Sequence, residues 1–113
     1  MKSLGVLLTA TLVATSFAHA GGLDYKNGAI CDKQSGFCVD HMGVSLGLTK
    51  EYLGEAAEQK LMARIKNLGE GNFDPTWFTM SGGLTCKTQE KTCWTSRYGD
   101  KVDKRATATL FGK

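Results

Sequence analysis

Two Cys-x6-Cys segments constrain the fold of this chain more than any other feature. Cys31 and Cys38 bound the first segment, Cys86 and Cys93 bound the second, and the sequence contains four cysteines in all. Each pair is preceded three residues upstream by a glycine and has a glutamine three residues after its first cysteine. We predict two small hairpins, each closed by its own disulfide, with a helical segment between them.

The sequence alone leaves other cysteine arrangements open, because four cysteines allow three pairings. The hairpins could instead be joined through Cys31–Cys86 and Cys38–Cys93, or in the crossed version. Ser35-Gly36 is a turn signal in the first hairpin, whereas the second turns through polar residues without Gly or Pro. A four-thiolate zinc site is a further alternative, although zinc pairs usually have the closer spacing Cys-x2–4-Cys. In the chain-entropy model, each eight-residue disulfide loop contributes about 2.5 kcal/mol to stability.

Residues 1–20 have the pattern of a cleavable signal peptide. Lys2 supplies the positive start, an apolar run extends to Phe17, and a small-x-small cleavage site occupies positions 18–20. The run is shorter than the roughly 20 apolar residues that cross a bilayer, so an uncleaved membrane anchor is the weaker alternative. We therefore expect the mature protein, residues 21–113, to be periplasmic or secreted, without a stable membrane anchor.

The mature chain is short enough for a single domain with a thin core, which disulfides would stabilise in an oxidising compartment. The full sequence has 14 Lys and Arg against 11 Asp and Glu, a formal net charge of +3. Basic and acidic residues are interleaved rather than clustered, so the charge pattern does not indicate a nucleic-acid partner.

The segment between the two hairpins has the pattern of two short helices. Ser45 can cap the first helix, Gly54 breaks the helical segment, and Gly69 ends the second helix. The apolar face predicted for the second helix consists of Ala57, Leu61 and Ile65, with Met62 and Leu68 beside it.

Strand-forming residues surround both cysteine pairs. The predicted strands are 29–31 and 37–39 in the first hairpin and 76–80, 84–87 and 92–97 in a three-stranded meander. The tail fits a helix beginning near Asp100, although Thr107 and Thr109 are weak helix formers, and Leu110-Phe111 is expected to anchor it. The fold class that follows is α+β: a small antiparallel sheet with disulfide-closed hairpins and two short helices packed on one face.

The sequence contains no residue set typical of catalysis, metal binding or cofactor binding. His41 follows Asp40, but it lacks a second histidine or a spaced carboxylate and cysteine set. Ser45 lacks a Gly-x-Ser-x-Gly elbow, and helix capping explains it. A redox protein would be expected to have Cys-x-x-Cys, which is absent. We therefore predict no enzymatic activity, no metal and no cofactor.

Aromatic residues near the second cysteine pair are the candidate binding residues. Trp77 and Phe78 are consecutive in a predicted strand, so they point to opposite faces of the sheet. Exposed aromatic residues near an arginine are typical of protein-binding hot spots. The small core favours the opposite interpretation, in which two of these aromatics are buried between sheet and helices. We predict that Trp77 or Trp94 stays partly exposed beside Arg97, forming a binding face with Tyr98.

Several segments together resemble a known family. These are Gly28-Ala29-Ile30-Cys31-Asp32, Phe37-Cys38-Val39-Asp40, Gly43-x-Ser45, Leu48-Thr49-x-x-Tyr52-Leu53-Gly54-x-x-Ala57, Cys86, Cys93, Arg97-Tyr98 and Leu110-Phe111-Gly112. They resemble the Fels-1 prophage protein-like family, also called the YcgJ family, over most of the mature chain. The resemblance implies an envelope location and paired cysteines. The family consists of small exported bacterial proteins without an assigned activity, so the resemblance implies no catalytic or binding residue.

These features favour a small, exported, non-enzymatic binding or inhibitory module whose partner is another envelope protein. A structural or stress-related envelope protein without a discrete ligand is the first alternative. A small envelope enzyme is the second, and it would require a pocket with convergent polar groups.

Overall fold

The structure, a computed structural model, describes residues 22–69 and 71–113. The predicted signal peptide, residues 1–20, and the expected first mature residue, Gly21, lie outside the described residues. The described part is α+β, as predicted. Its elements are β1 (Leu23–Lys26), β2 (Ala29–Asp32), β3 (Phe37–Asp40), β4 (Gly43–Ser45), α1 (Leu46–Leu53), α2 (Glu55–Leu68), β5 (Trp77–Thr79), β6 (Thr85–Lys87), β7 (Thr92–Trp94) and α3 (Lys104–Phe111).

The strands form two antiparallel sheets rather than the single sheet expected. Their orders are β1-β2-β3-β4 and β5-β6-β7. Strands β1 and β4 extend the first hairpin on both sides and were missed by the sequence prediction. In β1, partly buried Leu23 and Tyr25 alternate with exposed residues, which is the period-two pattern of a strand with one covered face.

Each hairpin is closed by its own disulfide. Cys31 is bonded to Cys38 and Cys86 to Cys93, and the two members of each pair lie directly opposite each other across β2–β3 and β6–β7. All four cysteines are fully buried. The predicted pairing is confirmed, which rules out disulfides between the hairpins and a four-thiolate zinc site.

Local signals set the limits of α1 and α2. The Ser45 hydroxyl accepts a hydrogen bond from the Leu48 N–H at 3.0 Å and caps α1. Gly54, with φ of 100°, separates the two helices, and Gly69, with φ of 88°, ends α2. The predicted cap, break and stop are therefore confirmed.

The buried face of α2 is narrower than predicted. Leu61 is buried and Ile65 is partly buried against the core. Met62 and Leu68, expected beside this face, are 46% and 52% exposed. The neighbouring elements cover only the line of the helix that contains Leu61, so the flanking apolar side chains stay in solvent.

The C-terminal helix begins later than expected. The cap of α3 is Asp103, three residues after Asp100, and its side chain accepts a hydrogen bond from the Ala106 N–H at 3.0 Å. Leu110 is buried and Phe111 is partly buried against the core. The predicted anchoring of the C-terminus is confirmed.

One apolar core joins the two sheets with α2 and α3. Phe37 of β3 and Phe78 of β5 meet edge to face, with ring centroids 6.5 Å apart. The buried members of the core are Ile30, Phe37, Val39, Leu61, Phe78, Met80, Leu84, Cys86, Cys93, Ala106 and Leu110.

The chain contains two similar structural units. The first unit, residues 23–53, consists of β1–β4 and α1, and the second unit, residues 77–111, consists of β5–β7 and α3. Each unit has a cysteine hairpin followed by an eight-residue helix. The second unit has no full counterpart of β4, but Val102 makes a single antiparallel bridge to Trp94 at the corresponding edge.

A threonine in each helix completes this common plan. Thr49 of α1 accepts a hydrogen bond from the Cys38 N–H at 2.9 Å, and Thr107 of α3 accepts one from the Cys93 N–H at 2.9 Å. Both threonines are buried and lie four residues after the N-cap of their helix. Each hydroxyl therefore satisfies a backbone donor that the neighbouring strands leave unpaired.

Candidate binding face

Trp77 lies on the outer face of the second sheet. The alternation along β5 is exposed, buried, exposed, so Phe78 points into the core while Trp77 points away from it. The Trp77 side chain is 57% exposed. A tryptophan is seldom left this exposed in a domain with so small a core.

The four candidate binding residues come together on this outer face. Trp94 is partly buried on β7, while Arg97 and Tyr98 are exposed in the loop that follows it. Together with Trp77 they line a cavity of about 260 Å³. The remaining lining residues of this cavity are Thr85, Lys87 and Gly99.

Lys87 is the residue of this face that sequence reasoning missed. It is paired with Trp77 across β5 and β6, and its Nζ lies 4.2 Å from the ring centroid of Trp77 and 5.9 Å from that of Trp94. Each such cation–π contact contributes about 0.5–1 kcal/mol at an exposed site. We call Trp77, Lys87, Trp94, Arg97 and Tyr98 the aromatic–basic face.

The charge of Lys87 is only weakly neutralised within the protein. Its Nζ lies 3.6 Å from a carboxylate oxygen of Glu90, and both side chains are substantially exposed. Surface ion pairs of this kind contribute about 0–1 kcal/mol. Within residues 22–69 and 71–113 this is the only ion pair, so the Arg97 guanidinium makes no salt bridge to a described carboxylate.

Local hydrogen bonds hold the loop that carries Arg97 and Tyr98. The Ser96 hydroxyl accepts from the Tyr98 N–H at 3.2 Å and donates to the Asp100 carboxylate at 3.0 Å. The Thr95 N–H donates to the carbonyl of Lys101 at 2.8 Å. The loop is therefore tied at its base and at its tip, which positions the exposed side chains beside the indoles.

Trp77 is also the meeting point of three surface cavities. Besides the cavity described above, it lines one of about 70 Å³ with Asp74, Thr76 and Lys87 among its neighbours. It further lines a cavity of about 250 Å³ on the side of α2. A group that packs against the Trp77 ring can thus reach concave surface on either side of it.

The residues considered for catalysis do not join this face. His41 is exposed in the turn between β3 and β4, and the Ser45 hydroxyl is engaged as the cap of α1. In the part of the chain that the structure describes, no group of three or more His, Cys, Asp or Glu side chains is placed to hold a metal ion.

A buried carboxylate connects the two units away from this face. Asp32 is fully buried, and its oxygens accept the N–H of Ser81 at 2.7 Å and the hydroxyl of Ser81 at 3.0 Å. Oδ1 also accepts the N–H groups of Gln34 and Ser35 at 3.1 and 3.2 Å. Burial raises the pKa of Asp32, but hydrogen bonds from Ser35 and Ser81 outweigh it, so the pKa lies below its ordinary value of 3.8.

Fold and site define a small, disulfide-stabilised α+β domain with an exposed aromatic–basic face. Across residues 22–69 and 71–113, no helix combines the length and the apolar character needed to cross a membrane.

Sequence comparison gives the family of this domain. The family model described as YcgJ protein matches residues 24–111. The chain is 34% identical over 100 residues to the "Uncharacterized protein YcgJ" of Escherichia coli (strain K12), covering 81% of this chain and 75% of that protein. The chain belongs to the YcgJ family. No solved structure matches it.

Proposed function

We propose that this protein is an exported, non-enzymatic binding or inhibitory module that binds another envelope protein through its aromatic–basic face. The observation that carries the proposal is the exposure of Trp77, at 57%, on the outer face of the second sheet. An exposed tryptophan at the centre of a concave, rimmed surface is a common feature of protein-binding sites.

The composition of the face supports a protein partner over a small substrate. Tryptophan, tyrosine and arginine are the residue types enriched at interface hot spots. The cavities beside Trp77 hold about 260, 250 and 70 Å³, below the roughly 300–1,000 Å³ of pockets that enclose a drug-sized ligand. Side chains of a partner protein match cavities of this size.

The positive charge of the face favours a partner with acidic residues at its binding surface. Lys87 and Arg97 lie on the same side of the sheet as the two indoles, and the formal net charge is +3 for the whole sequence and +2 without Lys2. A partner surface with carboxylates around an apolar centre would complement this face and associate faster at low ionic strength.

Export supports the same proposal. Two disulfides are formed in the domain, and disulfides persist chiefly in oxidising compartments outside the cytoplasm. The signal-like pattern of residues 1–20 would deliver the chain there. Intact mass of the protein recovered from the periplasmic fraction should correspond to a chain beginning at Gly21 with four oxidised cysteines. Recovery of full-length reduced protein from the cytoplasm would refute export.

Affinity capture tests the binding role. Residues 21–113 are immobilised and exposed to an envelope extract, in parallel with the Trp77→Ala and Lys87→Glu variants. Met62→Ala is the matched control, because Met62 is exposed on α2 and lines none of the three cavities beside Trp77. We expect a protein retained by the wild type and Met62→Ala and lost with the other two variants. Equal retention by all four proteins, or no specific retention, would refute the proposed function.

A further inference from the structure

We infer that the free edge of β5 binds an extended segment of the partner by strand addition, with one apolar side chain of that segment in the cavity between β5 and α2. The existence of a partner rests on the proposed function, but the strand-binding edge is a property of this domain alone.

The register of the second sheet leaves backbone groups of β5 unpaired. Thr88 donates to the carbonyl of Thr76 at 2.8 Å, and Met80 donates to that of Leu84 at 2.7 Å. These two bonds lie at alternate positions of one antiparallel ladder, so the hydrogen-bonded pair between them is Phe78 with Cys86.

The intervening residues of β5, Trp77 and Thr79, therefore direct their N–H and C=O groups away from β6. The Trp77 N–H bonds back to Asp74 at 3.4 Å. The N–H and C=O of Thr79 and the C=O of Trp77 find no partner in the described part of the chain. Such a row of donors and acceptors is what an added strand pairs with.

Neighbouring β4 occupies only the start of this edge. The Val44 N–H donates to the carbonyl of Pro75 at 2.9 Å, two residues before Trp77. Beyond Pro75, β4 makes no further backbone hydrogen bond to β5 among the described residues, and a cavity of about 250 Å³ lies along the edge instead.

The cavity has the shape and chemistry to hold one apolar side chain beside the edge. Phe37, Leu61 and Phe78 form its apolar part, and Thr79 and Trp77 lie along the strand side. Arg64 of α2 lines the opposite side, where its Nη1 donates to the carbonyl of Ser35 at 2.6 Å. Because unpaired backbone groups run along this groove, an extended peptide can add main-chain hydrogen bonds there, which a helix cannot.

Side-chain alternation connects this edge with the aromatic–basic face. In an added antiparallel strand, the residue opposite Phe78 would point to the inner face and enter the cavity. Its two neighbours would lie opposite Trp77 and Thr79 on the outer face. One neighbour therefore packs on the Trp77 ring, so strand addition and the aromatic–basic face form a continuous contact surface.

A matched pair of variants tests the edge. Thr79→Pro removes the N–H that points away from β6, so the β5–β6 ladder keeps its hydrogen bonds, and proline is tolerated on edge strands for this reason. Thr79→Ala keeps that N–H. Both variants lose the 2.9 Å contact between the hydroxyls of Thr79 and Thr85, so their difference isolates the edge donor. Equal unfolding midpoints of the two variants establish that both fold.

The probe is the blocked peptide acetyl-Ser-Thr-Leu-Thr-Ser-amide, titrated to concentrations on the order of millimolar and followed by amide chemical shifts. Peptides with Asp in place of Leu, or with both Thr nitrogens methylated, are the comparisons. We expect shifts at Trp77, Phe78, Thr79 and Leu61, with affinity at least fivefold weaker for Thr79→Pro than for Thr79→Ala. Both modified peptides should bind at least fivefold more weakly to the wild type.

The contrary outcomes are equally definite. No shifts along β5, equal affinity of the Thr79 variants, or unchanged binding of the N-methylated peptide would overturn the inference. So would a wild-type dimer that Thr79→Pro abolishes, because the edge would then pair with a second copy. Suppose that an envelope partner is captured equally by both Thr79 variants but is not captured by Trp77→Ala. That result would support the proposed function and refute strand addition. If no partner is captured, the peptide titration still decides the edge.

Discussion

The two units have the same disulfide hairpin and the same threonine-bearing helix. The central strands of the first unit are buried, whereas the sheet of the second unit has an exposed outer face. In the first unit, β2 is buried throughout and β3 nearly so. In the second unit, the outward residues of β5 and β7 remain exposed or partly exposed, including Trp77 and Trp94. The same local plan therefore produces a structural element in one half and a candidate binding surface in the other.

The position of the helix explains this difference. Among the strands, helix α1 packs chiefly on β3 of its own sheet, and its Thr49 is fully buried there. Helix α3 divides its contacts between β7 of its own unit and β2 and β1 of the first, and the Arg105 guanidinium lies 3.7 Å from the ring centroid of Tyr25. Because α3 reaches towards the first unit, none of the three described helices covers the outer face of the second sheet.

The largest effect is expected from removing either disulfide. Cys31→Ala/Cys38→Ala and Cys86→Ala/Cys93→Ala each open a loop of the same length, since both pairs have a sequence separation of 7. We expect each double variant to lose about 2–5 kcal/mol of unfolding free energy, with the two losses within about 1 kcal/mol of each other. Urea unfolding measures both. If removal of one disulfide left the free energy of unfolding unchanged, the proposed equivalence of the two hairpins would be wrong.

The next largest effect is expected at Gly43, where β4 meets the segment that precedes β5. Its φ is 113°, and a Cβ there would overlap the Pro75 carbonyl, whose oxygen accepts the neighbouring Val44 N–H. Gly28→Ala is the matched control, because Gly28 has φ of 79° but open space around its Cβ position. We expect Gly43→Ala to destabilise by about 2 kcal/mol more than Gly28→Ala, in thermal or urea unfolding. Equal losses would show that β4 and Pro75 do not touch as described.

Asp32 provides a pH-dependent test of the contact between the two units. Because its folded pKa is depressed, its contribution is complete above the ordinary value of 3.8 and is lost as pH falls through the lower folded value. We expect Asp32→Asn to cost about 2 kcal/mol at neutral pH, since Ser81 then loses a charged acceptor. Urea unfolding from pH 7 to pH 2 should show the two proteins converging below pH 4. A constant difference would mean that the Asp32 carboxylate is not what joins the units.

The two threonines give a smaller and more exacting comparison. Thr49 accepts from Cys38 at 2.9 Å and donates to the Ser45 carbonyl at 2.6 Å. The Thr107 hydroxyl accepts a hydrogen bond from the Cys93 N–H at 2.9 Å, but the bond that it donates to the Cys93 carbonyl is 3.4 Å long. We expect Thr49→Val to cost about 2 kcal/mol and Thr107→Val about 1 kcal/mol in unfolding free energy. The reverse order would contradict the view that the first unit is the more tightly closed.

Short-range features of this fold are readable from the sequence because neighbouring residues determine them. Ser45 as a cap and Gly54 and Gly69 as helix boundaries depend only on the backbone conformation at those positions. The opposite directions of Trp77 and Phe78 follow from strand geometry. Pairing within each Cys-x6-Cys segment likewise needs only a hairpin.

Long-range features were missed because distant packing determines them. The role of Lys87 depends on its register with Trp77, which the three-residue turn at 81–83 sets. The partner of Asp32 is Ser81, 49 positions away. The exposure of Met62 depends on which line of α2 the sheets cover. Without these contacts, the sequence identifies the candidate aromatics but not the cation between them or the open edge beside them.

The central claim is that the outer face of the second unit is open and cationic, and quenching of Trp77 fluorescence tests it most directly. The chain has two tryptophans, so Trp94→Phe leaves Trp77 as the sole tryptophan, and excitation at wavelengths that tyrosine does not absorb isolates its emission. Each quenching constant is divided by that of free N-acetyltryptophanamide, because iodide is intrinsically the stronger quencher of indole. Because the Lys87 Nζ lies 4.2 Å from the Trp77 ring centroid, the normalised constant should be about twofold larger for iodide than for caesium at low ionic strength, and Lys87→Gln should remove most of this preference. Failure of both ions to quench Trp77, or equal normalised constants with Lys87 intact, would contradict the account.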